Sequence, residues 1–384
     1  MKKKGLQFTM STKIEADTVI QLKNGRLLLY YFREDNNIYV YNEKTFDKLY
    51  KIDLKTLKYE FMVKFKGGQE KISNNLKNDE EGKEDDLELL FDSKYNESRN
   101  KNSIKELDNG LILIARDKYL IEFNLHEKNY DYKLAKLLNY DILEINQLSD
   151  KRIMVITTKN IILFERKNEE YIFKEEYELD YNWKFSTTGF CRDINQYFFS
   201  SELPNKRLLL NSVLNEFKSV RGCVVGEKTE FFKSKIIFID LNNFKEILLI
   251  EDFDKDAKYI VLENEIVIQS YEELTIYDIN SLKPIKVIKN EKELGNFYKF
   301  DKNHLIACSV SGEDNNLVIY KIENKDLVKQ CIIREEKLFE NLFSWNDYGM
   351  IGSCEFIFLL RDKRLMIHSF DVIYLFQIIN ELDN

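Results

Sequence analysis

An all-β fold of repeated four-stranded antiparallel units is what this 384-residue chain predicts. Three observations carry it. Aromatic residues make up 13% of the chain, with 27 Phe and 22 Tyr beside many Ile, Val and Leu, a composition suited to pleated, half-buried surfaces. Short alternating apolar runs separated by polar turns recur along almost the whole length. No long stretch carries the apolar spacing of a helix.

Related segments begin at Ile38, Leu120, Ile161, Ile236, Leu274, Leu317 and Leu365; the one at Leu274 reads LTIYDINSLKPIKVI. Each is a strand, a polar turn and a second strand. A second shared block precedes them, as in VIQLKNGRLLLYY and SIKELDNGLILIA, with two apolar runs around a turn. Asn24-Gly25 and Asn109-Gly110 predict two-residue hairpin turns there. The fused blocks make four strands in about 40 residues. Starts at 120 and 161, 236 and 274, 274 and 317, and 317 and 365 are 41, 38, 43 and 48 residues apart. Radial repetition of such units buries both faces of each sheet, so the chain is expected to be one β-propeller domain over residues 1–384. Seven segments predict seven blades. Eight is the alternative, because the step from 161 to 236 spans 75 residues. A two-domain sandwich broken near Tyr181 would leave the matching units on both sides unexplained.

The stretch EELTIYDINSLKPIKVI resembles the third and fourth strands of a WD40 repeat, with Tyr277-Asp278 where that family has Trp-Asp. Tyr41-Asn42 and Phe123-Asn124 hold the same place in their own repeats. The family's Gly-His pair is absent. With three His in the chain, its buried Asp–His–Ser/Thr–Trp network cannot recur. The resemblance is therefore to a diverged WD40-like propeller, and it implies a domain that binds proteins as part of an assembly.

Residues 67–102 interrupt the rhythm. They hold ten acidic and six basic residues and few aromatics, too little apolar surface to offset the entropy of ordering, so a flexible acidic insertion is expected. Within it, Leu87, Leu89, Leu90 and Phe91 sit among acids and form a candidate linear motif for a partner's groove. Trp183 and Trp345, the chain's two tryptophans, stand at the entries of first-strand blocks and are candidate contact residues.

Net charge is −8, which disfavours nucleic acid as a partner. The five Cys form no CxxC pair and read as reduced thiols of a cytoplasmic protein. The basic start MKKKGLQF lacks an apolar h-region, and apolar runs reach about five residues, too short for a membrane span. Catalytic signatures are missing: neither GxSxG, GxxxxGK[ST] nor GxGxxG occurs. His304 and Cys308, four apart on a predicted strand, would lie about 13 Å apart, too far to share one metal. The run from Asp254 to Glu265 offers acids at calcium-loop positions but has Tyr259 where the loop needs Gly. The expectation is a non-catalytic protein–protein interaction scaffold without cofactor or metal. The competing expectation is an enzyme or small-ligand sensor with its site in the central channel.

Overall fold

The computed structural model describes residues 2–13, 18–30, 37–54, 56–57, 104–157, 159–178, 199–216, 231–253, 258–270, 273–289, 297–309, 316–333, 354–369 and 372–380. Apart from a helical turn at Leu54, Thr56 and Leu57, the regular structure of these residues is all strand. The chain divides into two compact units, one of Ala16–Ser200 and one of Met1–Glu15 with Ser201–Asn384.

The N-terminal strand β1 (Lys2–Lys13) is taken up again below. The unit of Ala16–Ser200 contains three four-stranded antiparallel sheets. Blade 1 is β2 (Thr18–Gln21), β3 (Arg26–Tyr30), β4 (Asn37–Asn42) and β5 (Lys48–Asp53). Blade 2 is β6 (Ile104–Glu106), β7 (Ile112–Arg116), β8 (Tyr119–Leu125) and β9 (Tyr130–Leu137). Blade 3 is β10 (Ile142–Gln147), β11 (Ile153–Thr157), β12 (Asn160–Lys167) and β13 (Glu170–Glu178).

Blade 4 is β14 (Phe199–Leu203), β15 (Arg207–Glu216), β16 (Phe231–Asp240) and β17 (Lys245–Phe253). Blade 5 is β18 (Lys258–Val261), β19 (Glu265–Gln269), β20 (Glu273–Asp278) and β21 (Pro284–Lys289). Blade 6 is β22 (Phe297–Lys299), β23 (His304–Ser309), β24 (Asn316–Glu323) and β25 (Asp326–Ile333). The last blade is β26 (Cys354–Leu359), β27 (Arg364–Ser369) and β28 (Val372–Asn380), with β1 as its fourth strand, antiparallel to β28 from Lys4↔Asn380 to Lys13↔Val372. A short parallel pairing, Lys2↔Cys331 to Lys4↔Ile333, joins β1 to β25, so blades 6 and 7 form one eight-stranded sheet. The described strands thus make seven blades. The segment at Leu365 supplies second and third strands rather than third and fourth, because the closing strand comes from the other end of the chain.

Blades 2 and 6 show why strands can be apolar on both faces: each of these sheets is sandwiched between two neighbours. In β7, Ile112 and Ile114 face a cluster shared with Leu28 and Ile38 of blade 1. The alternate residues Leu113 and Ala115 face one shared with Val155 and Phe164 of blade 3. Blade 6 divides in the same way: Ile306, Leu317 and Ile319 pack with Ile367 and Phe376, whereas Leu305, Ala307 and Val318 pack with Val267 and Ile276. Ile114, at 0% exposure, is worth about 2 kcal/mol as buried apolar surface.

In blades 1, 2, 3 and the last, the turn between first and second strands takes a three-residue form in place of the expected two-residue one. Leu22 N–H donates to Arg26 O and Gly25 N–H to Leu22 O, and Gly25 alone has positive φ, at 77°. This is a type I turn followed by a left-handed residue. Leu107–Leu111, Leu148–Arg152 and Leu360–Arg364 repeat it, with Gly110, Lys151 and Lys363 in the left-handed position. Each leading Leu is buried, which is why the pattern begins with Leu.

Between third and fourth strands, Asp278 Oδ1 accepts from the N–H groups of Asn280 and Ser281, and Asn42 Oδ1 does the same for Lys44 and Thr45. The Tyr-Asp resemblance therefore marks a turn closed by its own side chain. The outer strand bulges in every blade. Leu49, Ala135, Lys174, Ile247, Ile285, Gln330 and Thr9 are the extra residues where the register shifts.

Candidate functional site

Two buried polar clusters stand out in the unit of Ala16–Ser200. The first ties blade 2 to blade 3. Glu122, in the apolar run LIEF of β8, is 5% exposed. Arg166 of β12 grips it with Nε at 2.8 Å and Nη2 at 3.2 Å, Lys133 Nζ lies at 3.3 Å, and the Tyr171 hydroxyl donates to Oε2. Burial alone would push the Glu122 carboxyl up, but Arg166, Tyr171 and Lys133 outweigh it and hold it below the ordinary range. The same cluster pushes the Tyr171 hydroxyl up, by burial first and the carboxylate second. Where WD40 repeats use a His-based network, this pair of blades uses a fully engaged carboxylate.

The second cluster lies on first strands. Glu144 of β10 is 0% exposed, because a bulge at Leu143 breaks the alternation and turns the carboxyl inward. Its Oε1 accepts from Asn146 Nδ2 at 2.6 Å, Ser200 N at 3.1 Å and Ser200 Oγ at 2.7 Å. Its Oε2 is buried and unpartnered among the described residues. Asn146 Nδ2 also donates to Ser200 Oγ at 2.8 Å, and its Oδ1 accepts from Lys105 Nζ of β6 at 3.0 Å. Burial pushes Glu144 up to about 8 against the donors around it, so the carboxyl is largely neutral at pH 7. Burial also pulls the Lys105 ammonium down, opposed by Glu144.

Chemically, Glu144 is a neutral carboxyl held by the Ser200 hydroxyl and the Asn146 amide, with no exposed surface of its own. The arrangement acts as a tie. A surface chain runs alongside it: Lys23 and Lys151 both reach Asp108, Lys23 N–H donates to Glu106, and Asp108 N–H donates to Gln147 Oε1 at 2.7 Å. Exposed pairs of this kind contribute little each. The sequence reading missed Glu122 and Glu144; the available signal was a carboxylate inside an apolar strand run, LIEF and ILEI.

Trp183, Trp345, Leu87, Leu89, Leu90 and Phe91 lie outside the described residues, as does the 67–102 insertion. In chain order they fall between β13 and β14, between β25 and β26, and between β5 and β6. Among the described residues no group of three or more His, Cys, Asp or Glu is placed to hold a metal. His304 Nδ1 is engaged by Asp301 at 2.9 Å. Lys258 opens β18 and Glu265 opens β19, so the Asp254–Glu265 run is strand at both of those positions rather than a calcium loop. No described helix is long and apolar enough to cross a membrane.

No protein-family model and no curated protein matches the chain. Solved structures do. BamB from Moraxella catarrhalis is 13% identical, with 97% of each chain covered and a TM-score of 0.47. The extracellular domain of a putative one-component system from B. thetaiotaomicron is 10% identical over 100% of this chain and 44% of that one, with a TM-score of 0.50. With the strand order above, the class is defined: the chain has a β-propeller fold of seven four-stranded blades. At these identities the likeness concerns the fold alone.

Proposed function

We propose that the chain is a non-catalytic scaffold for protein–protein interaction, a subunit or adaptor of a multiprotein complex in the cytoplasm. The observation that carries this reading is the exposed apolar surface of the fourth strands. Leu49, Leu137, Ile172, Phe173, Ile247 and Val287 are large apolar side chains at 36–53% exposure, and all belong to fourth strands. Apolar surface left open on a packed frame is suited to partner contact. The buried carboxyl groups of Glu122 and Glu144 are engaged in ties between strands, which suits a frame more than a reaction centre. Trp183, Trp345 and the Leu87–Phe91 cluster remain candidate contacts of the same function.

Affinity purification of the tagged full chain from its native source, with mass spectrometry, tests the proposal. Stoichiometric protein partners are expected; a chain that elutes alone and monomeric overturns it. The second reading, a small-ligand sensor, draws on the Lys105–Asn146–Glu144 chain of first strands. A thermal shift with small carboxylic or amine ligands, abolished by Glu144→Gln, would favour it.

A further inference from the structure

We propose that the free edge of β13 is a docking strand for an extended, basic segment of a partner protein, which adds beside it as a fifth strand of blade 3. Among the described residues β13 pairs along one edge only, with β12. Seven of its nine residues are exposed, from Glu170 to Glu178. Ile172 and Phe173, at 41% and 53%, are the two adjacent large apolar side chains exposed together among the described residues. They belong to successive positions of a strand and so flank the edge on opposite sides of the sheet, where one incoming strand covers both. The charge is one-sided: Glu170, Glu175, Glu176 and Glu178 stand against Lys174.

The bulge at Lys174 divides the strand. Beyond it, Glu175–Glu178 pair one to one with Leu163–Asn160, giving an uninterrupted ladder of four residues, about 13 Å. Main-chain bonds to that run would supply affinity, and lysines or arginines over the glutamates would supply selectivity. Phe173, packed edge-on against Phe164 at 6.5 Å, is held in place to receive an apolar side chain at the end of the run.

This surface rests on the interaction function proposed above and can fail separately from it. The test is a fluorescent decapeptide of alternating Lys and Val titrated with the full chain. Saturable binding is expected, weakening as salt rises, with slowed amide exchange at residues 175–178. The double variant Ile172→Lys/Phe173→Lys should weaken binding about tenfold or more. Glu175→Lys/Glu178→Lys, at exposed positions, should do the same if the first variant folds poorly. Val287→Lys on β21 should leave binding unchanged. Absent saturable binding, equal loss with Val287→Lys, or protection elsewhere overturns the inference. Partner capture from native extract undiminished by these β13 variants would overturn the surface and leave the scaffold function standing.

Discussion

Glu144 couples the stability of the chain to pH with a sign opposite to that of most carboxylates. Between the ordinary range near 4.5 and about 8, the folded chain keeps a proton that the unfolded chain has released. Stability therefore falls as pH rises through that window and levels off above it. Glu144→Gln keeps the neutral shape without the titration. Urea midpoints from pH 5 to 9 should show the two proteins equal at the acid end and the Gln variant more stable at the alkaline end. Parallel curves would refute this. Glu122 behaves in the contrary way, since its partners favour the charged form. Glu122→Ala leaves Arg166 and the Tyr171 hydroxyl facing a void and should cost about 3 kcal/mol by denaturant unfolding. An acid inside an apolar run marked both residues, but their roles were not legible: the inward turn of Glu144 depends on a bulge and the charge of Glu122 on a neighbouring blade's arginine.

The turns show how one conformation accepts different residues at different cost. Gly25 and Gly110 occupy the left-handed position that Lys151 and Lys363 occupy in other blades. A Cβ on Gly25 would meet nothing within 4 Å, so Gly25→Ala isolates the backbone penalty. It should cost about 1 kcal/mol, and the exposed Lys363→Gly should gain about 0.5–1 kcal/mol, both read from thermal unfolding. Phe46, Phe244 and Leu282 accept the same strain in the third-to-fourth turns, at φ of 60°, 54° and 55°, because each is buried. There Phe46→Gly relieves about 1 kcal/mol of strain and forfeits about 3 kcal/mol of packing, so net destabilisation is expected. The repeated strands and the Tyr277-Asp278 turn were readable from sequence, because period and turn chemistry are local. Asn24-Gly25 misled on turn type because the dipeptide fits two loop lengths, and only the hydrogen bond from Leu22 to Arg26 decides between them.

For the whole molecule, seven recurrences predicted the seven blades, and the last was misaligned by one strand for a topological reason. Its fourth strand lies more than 350 residues away in sequence, at Lys2–Lys13. Deleting Lys2–Lys13 strips β28 of its neighbour along nine paired positions and leaves Leu375 O without its donor, Thr9 Oγ1. Loss of soluble protein, or a collapse of the far-UV sheet signal, is expected; a soluble monomer with unchanged unfolding would contradict the pairing's importance. The same closure sets a timetable for biosynthesis. β1 leaves the ribosome well before β28, its partner, which is made more than 350 residues later. At ordinary elongation rates of about 5–20 residues per second, β1 waits roughly 20–75 s unpaired while the other blades form behind it. The closing pair of the last blade therefore forms long after its first-made strand, and in that interval the lysine-rich opening of β1 keeps an unattached strand in solution.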